Sequence, residues 1–355
     1  MSIKEFILQF IIGTLAFGAV FFVRLSELRN PDALTAENAE ILIYETTDVE
    51  GLIPILKQSG VDFNPDMLRW AAHTLGRNTF LEGRYVLDGS ARFNIFFGRL
   101  ARGEQDARRV IVRAGQTYER FFNRVPTQFR FTSEELRSAM RDTVFIREEL
   151  GMEPHLLFGR MIPNTYEMFW TITPYQFIQR MLTEFDRATN GLEERASELG
   201  LTMDQVVTFA SIVQLEAMFD VEKPKIAGLY WNRLNQRWRL QADPTVLYAI
   251  GERRRLRFAD YRFQHPYNTY TIHGLPPGPI TNPDIASIRA VLEPERHPYM
   301  FMVATPEGMH SFTRTYEEHR RESAKWVQWL RQQERIRAER EEQERILRER
   351  LQVTI

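Results

Sequence analysis

The apolar positions nearest the amino terminus form one unbroken run. Residues 6–23 (FILQFIIGTLAFGAVFFV) carry no charge, and the run is close to the minimum length that a helix needs to span a bilayer. A cleaved signal peptide and a buried core helix are the alternatives. No small-residue cleavage site follows the run, and a core helix at a chain end normally has a polar face. The pattern therefore favours an uncleaved anchor over residues 1–25, with a polar linker over residues 26–39.

Short helical and strand patterns alternate along the next part of the chain. Strands are predicted at ILIYE (41–45) and LEGRYVLD (81–88), and helices at 48–59, 65–76 and 90–102, the last ended by Gly103. Farther on, a strand enters a helix at 108–122, helices follow at 132–150, 174–190 and 192–199, and an apolar strand lies at 298–304. This mixture predicts an α+β fold, with a small subdomain at 40–107 and a larger domain at 108–330.

The carboxyl-terminal part is highly charged. From about Arg331 the residues are nearly all Arg, Glu and Gln, with acidic and basic residues four positions apart, as in a solvated helix. We therefore expect an exposed, charged helical tail over 331–355. The helix before it should carry Trp326, Trp329 and Leu330 onto the core.

A longer periodic stretch centres on one glutamate. Thr202 and Gln205 have the spacing of a capping box, and apolar residues such as Phe209 and Val213 then recur at helical spacing. Glu216 falls in the same apolar arc, where desolvation should raise its pKa toward the range useful for donating a proton. An acid in such a place is also a common partner of a buried Arg or Lys, so the spacing alone leaves both roles open.

The amino-acid composition of the chain excludes several kinds of chemistry. The chain of 355 residues with 43% hydrophobic content can hold one large or two modest domains, and its formal net charge of −1 gives no field that would attract nucleic acid. It contains no cysteine, which excludes disulfides and thiol chemistry, and its seven histidines show no metal-binding spacing such as HExxH. We therefore predict no metal site and no cofactor.

Polar and aromatic residues dominate the segment that follows Glu216. Residues 267–270 (YNTY) alternate aromatic and polar groups, and residues 275–280 (LPPGPI) predict a stiff, non-helical loop. Aromatic faces beside amides and hydroxyls suit a sugar, which has apolar C–H faces and a rim of hydroxyls.

Five motifs together resemble the YceG-like endolytic peptidoglycan transglycosylases. They are ASIVQLEA (210–217), NRL (232–234), LQADPTVLY (240–248), YNTYTIHGLPPGPI (267–280) and FMVATPEGMHSF (301–312), in the family's order. Residues 163–166 (PNTY) resemble a further signature, and weaker similarity reaches back to about residue 40. The chain departs from the family at Gln214, where members often have an acid, and at Asp284, where many have glycine.

The resemblance implies a membrane-anchored enzyme that cuts glycan strands internally and so limits their length, with Glu216 as the catalytic residue. It implies a single-pass protein of the cytoplasmic (inner) membrane with its catalytic part periplasmic or extracytoplasmic, a LysM-like subdomain at 40–107, and association with a penicillin-binding protein of the wall-synthesis machinery. Whether the LysM-like unit binds glycan or only supports the catalytic domain stays open, as does a purely structural role for His310. The candidate substrate-binding residues are Gln241, Asp243, Thr245, Tyr267, Asn268, Tyr270, Leu275, Pro276, Pro277, Gly278, His310 and Tyr166.

One carboxylate suffices for the reaction that the resemblance implies, whereas most glycosidases use two. Glu216 would protonate the oxygen between N-acetylmuramic acid (MurNAc) and N-acetylglucosamine (GlcNAc). It would then take the proton from the tethered 6-hydroxyl of MurNAc, which leaves a 1,6-anhydro-MurNAc end. The alternatives are a hydrolase, in which Asp243 or Glu222 activates water, and a non-catalytic wall-binding scaffold. Asp243 precedes Pro244 in a predicted turn, and organising that turn is its other explanation.

Overall fold

The computed structural model describes residues 3–353, with side chains described from residue 7 to residue 345 and at residue 348. The chain forms two compact units. The N-terminal unit comprises Met1–Ile111, Arg124–Leu136 and Thr165–Pro174, and the C-terminal unit comprises Val112–Asn123, Arg137–Asn164 and Tyr175–Ile355. Both helices and strands are present, and the predicted α+β fold class is confirmed.

The helices in chain order are α1 (Ile3–Leu28), α2 (Val49–Gln58), α3 (Pro65–Thr74), α4 (Phe93–Arg102), α5 (Tyr118–Arg124), α6 (Ser133–Ala139), α7 (Pro174–Thr189), α8 (Glu193–Glu198), α9 (Met203–Glu216), α10 (Lys223–Asn235), α11 (Asp243–Ile250), α12 (Ile285–Leu292) and α13 (Tyr316–Val353). The strands are β1 (Leu34–Ile43), β2 (Asp62–Phe63), β3 (Gly83–Ala91), β4 (Arg108–Val112), β5 (Asn164–Met168), β6 (Phe301–Ala304) and β7 (His310–Thr313).

Helix α1 carries the apolar run. Its segment Ile7–Leu28 has 22 residues and a mean hydropathy of 1.9, and residues 7–26 are all exposed, while Leu28 packs into the core of the N-terminal unit. By length and composition it can cross a membrane. The helix continues to Leu28, so the polar linker predicted over 26–39 is reduced to the short connection before β1.

The first sheet has the strand order β2-β1-β3 with antiparallel pairing. Strand β1 begins at Leu34, seven residues before the predicted strand at 41–45, and ends at Ile43. A bulge between Ala36 and Ala39 interrupts the pairing with β3, and Asn38 within it has a φ of 52°. The bulge breaks the alternation of apolar and polar positions, which is why the sequence pattern showed only the last three residues of the strand.

Helices α2, α3 and α4 agree with their predicted positions and enclose the core of the N-terminal unit. Asp48 and Asn64 cap the first two through side-chain bonds to backbone N–H groups. Gly103 ends α4 in the left-handed conformation with a φ of 68°, as its position predicted. Phe80 and Phe97 lie in the core between these elements, with ring centroids 5.0 Å apart.

Helix α9 lies at the centre of the C-terminal unit and packs against α10, α11 and α12. Every residue from Val206 to Val213 is buried. The apolar pattern predicted burial of one side only, but Thr208 and Ser211 are buried too, so the helix is enclosed all round. The Ser211 hydroxyl donates a hydrogen bond to the Thr208 carbonyl at 2.6 Å. Its polar group therefore has a partner although the side chain is buried.

Two of the predicted helices differ from the observed structure. The stretch 132–150 is broken into α6 and a turn of π-helix at Phe145–Glu149. Asp142 causes the interruption, because its Oδ1 accepts the backbone N–H groups of Val144 and Phe145. Helix α13 continues as one element into the predicted tail, whose last residues 354 and 355 lie outside the described residues.

The predicted core position of Trp326 and Trp329 is wrong. The two rings stack on each other with centroids 4.9 Å apart, and both side chains, like Leu330, are only half-buried. Residues three positions apart on a helix are neighbours, so mutual stacking removes apolar surface from water without a core.

The first prediction concerns α1. A chain that lacks residues 1–29 should remain soluble without detergent, whereas the full chain should fractionate with membranes, because α1 exposes a continuous apolar surface. Fractionation followed by a carbonate wash checks both. Release of the full chain by the wash, or a mature protein that begins beyond Val23, would contradict the anchor.

Candidate active site

Glu216 is the last residue of α9, where the helix gives way to an extended residue, Ala217. The predicted capping box is present at the other end, because Thr202 and Gln205 exchange side-chain bonds with each other's backbone N–H groups. The carboxyl group is half-buried. Its Oε1 accepts a hydrogen bond of 2.7 Å from the hydroxyl of Tyr230. Two helices, α9 and α10, thus place a protonatable group and its donor together.

The surroundings of Glu216 raise the pKa of its carboxyl group well above the ordinary value. Burial raises its pKa to about 7, against an ordinary value of 4.5. The Tyr230 hydrogen bond opposes this rise, the negative charge of Asp243 adds to it, and the positive charge of Arg233 opposes it. Glu216 is therefore balanced between acid and base near neutral pH, which is the condition for a group that must first donate and then accept a proton.

Tyr230 and Arg233 of α10 are the two polar residues of that helix that influence the Glu216 carboxyl group. They lie three residues apart on α10, and the Arg233 guanidinium carbon sits 5.6 Å from the Tyr230 ring centroid. Arg233 is buried and donates to the carbonyls of Met300, at 2.9 Å, and Leu240. Burial and the neighbouring Glu216 carboxylate raise the pKa of Tyr230, so its hydroxyl remains a donor.

The buried ion pair considered for Glu216 is absent from the described part of the chain. Within residues 7–345 no Lys, Arg or His nitrogen lies within ion-pairing distance of its carboxylate. The positive charge of Arg233 acts from farther away, since its guanidinium is directed to backbone carbonyls. A structural ion pair therefore does not explain the position of this acid.

Asp243 forms a second polar cluster with two tyrosines. Tyr270 donates to Asp243 Oδ1 at 2.7 Å, and Tyr261 approaches Oδ2 at 3.5 Å. The predicted turn at Asp243 is wrong, because Asp243 begins α11 and Pro244 occupies the first turn of that helix. Proline is well accommodated there, since its missing N–H would have no partner. The Asp243 side chain is exposed, and its negative charge raises the pKa of Glu216.

Thr245, Asn268 and Gln241 have different surroundings. Thr245 is fully buried, and its hydroxyl forms a hydrogen bond of 2.8 Å with the hydroxyl of Thr269, in which either oxygen could be the donor. Asn268 is also fully buried and donates to the Phe263 carbonyl at 2.8 Å, while its Oδ1 accepts the Tyr270 N–H at 3.0 Å. Both side chains therefore shape the loop rather than face substrate. Gln241 is exposed, with a φ of 53°.

The left-handed conformation of Gln241 is held by its neighbours. Its N–H donates to the Thr269 carbonyl at 3.2 Å, and the next N–H, that of Ala242, donates to Thr269 Oγ1 at 3.0 Å. Such a conformation is unfavourable for a non-glycine residue and persists where surrounding contacts impose it. The amide of Gln241 is consequently presented to solvent at the start of α11.

The loop 275–280 is irregular, as predicted, and tightly packed. Pro276 and Gly278 are buried, Leu275 is half-buried and Pro277 is exposed. A Cβ at Gly278 would lie 2.9 Å from His155 Cδ2 and 3.0 Å from the Tyr267 hydroxyl, so only glycine fits. The loop is tied to α9 because the N–H of Ile280 donates to Ser211 Oγ at 3.0 Å. Tyr267 stays half-buried, with its pKa raised to about 12 by burial.

His310 and Glu222 form a separate pair. Glu222 is buried, and its two oxygens lie 2.7 Å from the His310 N–H and 3.3 Å from His310 Nδ1. Among the described residues no hydrogen bond or ion pair joins either of them to Glu216, and both oxygens of Glu222 are engaged by His310. Tyr166 is buried in β5, within the N-terminal unit.

The two positions that depart from the family contact each other. Gln214 Oε1 accepts the N–H of Asp284 at 2.9 Å and the hydroxyl of Ser287 at 3.0 Å. Asp284 caps α12 and also pairs with the buried Lys223 at 2.6 Å. Both bonds reach the amide oxygen of Gln214, so this side chain ties the end of α9 to the start of α12.

Several residues of the site were not singled out from the sequence. Tyr230 is the most important, and it lies three positions before Arg233, a spacing that puts both residues on one face of a helix. Asn282 is another: its amide donates to the carbonyls of Arg113 and Met161, both at 2.9 Å. Those bonds join segments far apart in the chain, which no local pattern reveals. Among the described residues no group of three His, Asp or Glu side chains is arranged to hold a metal ion.

Comparisons with known proteins cover most of the chain. Residues 41–325 match the model of the YceG-like family. A protein of Bacillus subtilis (strain 168) named endolytic murein transglycosylase is 26% identical over 329 residues, which cover 88% of this chain and 91% of that protein. A protein of the same name from Streptococcus pneumoniae (strain D39) is 24% identical and is covered over 66% of its length, with 92% of this chain aligned.

Among solved structures, a crystal structure of a YceG-like protein from Listeria monocytogenes matches with a TM-score of 0.56 and 25% identity. The match covers 80% of this chain and 99% of that one. The matched residues include the end of β1 with β2 and β3, α9 with Glu216, and both strands of the last hairpin. The chain therefore belongs to the YceG-like family.

Proposed function

We propose that this protein is an endolytic murein transglycosylase that cleaves the MurNAc–GlcNAc bond of peptidoglycan strands without water. The observation that carries the proposal is the half-buried Glu216, whose pKa is raised to about 7 and which accepts a single tyrosine hydrogen bond. The names of the similar proteins support a peptidoglycan-cleaving enzyme. Cleavage inside strands would limit their length.

The proton would move through one group in two steps. Protonated Glu216 gives its proton to the glycosidic oxygen as the bond to the anomeric carbon of MurNAc breaks. The resulting carboxylate then removes the proton from the 6-hydroxyl of the same MurNAc, whose oxygen forms the new bond to the anomeric carbon. Glu216 ends protonated, and the 6-hydroxyl gains from being tethered to the reacting sugar.

Tyr230 would keep Glu216 in one orientation through both steps. Its hydroxyl occupies Oε1, so the other carboxyl oxygen is the one that exchanges the proton with substrate. The bond also becomes stronger when the carboxylate forms, because a charged acceptor strengthens a hydrogen bond. In this scheme Gln241, Tyr267 and the exposed Pro277 contact the strand, while Thr245, Asn268 and Gly278 position them.

A hydrolase remains the second candidate because Asp243 is exposed and electrostatically coupled to Glu216. A base for water would need a free carboxylate oxygen. Tyr270 and Tyr261 already approach the two oxygens of Asp243, which favours a positioning role for it. A non-catalytic scaffold is less favoured, since it would not require an unpaired acid held near neutrality.

The membrane assignment follows from the same proposal. Helix α1 would anchor the chain in the cytoplasmic membrane as a single pass, with the catalytic part periplasmic or extracytoplasmic, where murein lies. A LysM-like role for the region 40–107 and association with a penicillin-binding protein remain hypotheses from the family resemblance.

The direct test replaces the acid. Glu216→Gln keeps the shape of the side chain and removes the titrating proton, so murein cleavage should fall at least about a hundredfold. Release of soluble muropeptides from purified murein measures it. Glu198→Gln, at an exposed glutamate of α8, is the matched control and should retain full activity. Similar rates for the parent and Glu216→Gln would remove the proposal.

The same substitution should stabilise the protein at alkaline pH. The Glu216 pKa is near 7 in the folded chain and near 4.5 in the unfolded one, so folding takes up a proton in this window and stability falls as the pH rises through it. Glu216→Gln should match the parent at about pH 5 and exceed it by about 2–3 kcal/mol at about pH 8. Chemical unfolding at both pH values checks this. A destabilised Glu216→Gln at the higher pH would show that the carboxylate is a structural ion-pair partner.

Substitutions of Asp243 and of Tyr230 should shift the pH dependence of the cleavage activity in opposite directions. Asp243→Asn removes a charge that raises the Glu216 pKa, so the alkaline loss of activity should move to lower pH. Tyr230→Phe removes a bond that lowers this pKa, so the loss should move to higher pH. The pH dependence of kcat/KM measures both. Abolished activity in Asp243→Asn at every pH would instead favour the hydrolase.

A further inference from the structure

The segment that follows α11 carries a local excess of positive charge. Residues 252–263 (ERRRLRFADYRF) contain five arginines and two acidic residues, a formal charge of +3, whereas the whole chain has −1. We call this segment the basic loop. It is irregular apart from a short turn of 3-10 helix at Asp260–Arg262, and it lies within the C-terminal unit. The net charge of the chain therefore conceals a basic surface.

Both acids of the basic loop are bound by one arginine. Arg254 donates to the two oxygens of Asp260 at 2.7 and 2.8 Å and to Glu252 Oε2 at 2.9 Å. The Asp260 carboxylate also accepts the backbone N–H of Arg257 at 2.6 Å, and these bonds give the loop a defined shape. Within residues 7–345 they leave four exposed arginines of the loop without an ion pair: Arg253, Arg255, Arg257 and Arg262.

The basic loop also exposes apolar rings. Phe258 is 90% exposed, more than Phe17 or Phe22 of α1 at 73%, and Phe263 is 44% exposed. One exposed apolar residue is common on protein surfaces and by itself indicates nothing. Here Phe258 directly follows Arg257, among cations that have no acidic partner. Apolar side chains flanked by arginines are the combination with which surface segments bind anionic membranes, the rings at the acyl boundary and the guanidinium groups on headgroup phosphates.

Two observations favour a lipid surface over an acidic glycan strand as the partner. Helix α1 has the length and composition to cross a membrane, so the anchored chain works beside a bilayer. A strand that carries carboxylates would also attract the arginines, but a strand lies in a cleft, and a ring that is 90% exposed protrudes from the surface. A bilayer surface uses both the cations and the protruding ring.

The basic loop is joined to the residues around Asp243. The buried Asn268 donates to the Phe263 carbonyl at 2.8 Å. The ring of Tyr261 lies 4.6 Å from the ring of Tyr270, whose hydroxyl donates to Asp243. A loop bound to lipid therefore fixes the start of α11 near the headgroups.

We propose that the basic loop is a second membrane contact of this protein, in which Phe258 enters the headgroup boundary and the four arginines without an ion pair bind the phosphates of anionic lipids. This inference goes beyond the proposed function and takes from it only that α1 spans a membrane. The proton steps at Glu216 do not depend on it.

The test places a reporter in the basic loop of the full-length chain. The chain contains no cysteine, so Ala259→Cys gives one site for an environment-sensitive dye and keeps Phe258 and every arginine. The labelled chain is assembled into nanodiscs of phosphatidylcholine, alone or mixed with anionic phosphatidylglycerol. In the mixed discs the dye emission should shift to shorter wavelength and be quenched by lipids that carry a nitroxide below the headgroup. Neutral discs and high salt should both weaken the quenching.

Two substitutions separate the charge from the apolar ring. Arg255→Gln with Arg257→Gln should reduce the equilibrium constant for loop contact at least about tenfold in mixed discs. Phe258→Ser should also reduce the quenching there. The matched control, Arg320→Gln with Arg321→Gln at exposed arginines of α13, removes the same charge and should leave the quenching unchanged. A dye at Ser197→Cys, an exposed position of α8, should show no contact with lipid.

Three results would overturn the lipid contact. They are no quenching in mixed discs, equal quenching before and after the substitutions in the loop, and a dye response that requires soluble murein fragments, which would identify an acidic strand as the partner. The salt dependence of the unsubstituted loop decides the question if a variant folds poorly. A chain that purifies with the discs and cleaves murein but shows no loop signal loses this inference alone, and the anchor and the proposed function stand.

Discussion

The contact between the Glu216 carboxyl and the Tyr230 hydroxyl is the interaction on which the catalytic account depends. It joins the end of α9 to the middle of α10 at 2.7 Å. Burial alone would hold the carboxyl neutral, and a salt bridge would hold it ionised. Burial raises the pKa of the carboxyl, the hydrogen bond from Tyr230 opposes that rise, and the charges of Asp243 and Arg233 act in opposite directions, so the pKa lies at about 7. The same group can then act as acid and as base within one reaction.

The surroundings of this contact explain why it is rigid. Ser211 on α9 binds the proline-rich loop, Asn282 binds two distant segments, and Lys223 pairs with Asp220 and Asp284 at 2.7 Å and 2.6 Å. Ser211, Asn282 and Lys223 are themselves buried, so losing one of these bonds would leave a buried group unsatisfied. They hold α9, α10 and α12 in one arrangement, and the orientation of Glu216 follows from it.

The elements with local signals were predictable from the sequence. The capping box at Thr202, the glycine that ends α4 and the apolar run of α1 each act through neighbouring residues, and each is found. Glu216 was identified through helical spacing and the family motifs. The helical start at Asp243 was missed because Asp-Pro is common both in turns and in the first turn of a helix. Most of strand β1, residues 34–40, was missed because its bulge hides the alternation of apolar and polar positions.

What the sequence could not show are the contacts between distant segments. Tyr230 carries no distinctive local pattern, and only folding brings its hydroxyl to Glu216. The inward packing predicted for Trp326 failed for a related reason, since burial depends on what lies opposite a helix face. Sequence patterns thus predicted Glu216 as the acid, while its hydrogen-bond donor needed the structure.

The central claim is that one acid performs the cleavage without water, and the origin of the oxygen at the new chain end tests it most directly. Purified murein is digested by the full chain in heavy-oxygen water, and the released muropeptides are analysed by mass spectrometry. The account predicts 1,6-anhydro-MurNAc ends that carry no heavy oxygen, because the tethered 6-hydroxyl supplies the new bond. Reducing MurNAc ends that each carry one heavy oxygen would contradict it and assign the protein as a hydrolase.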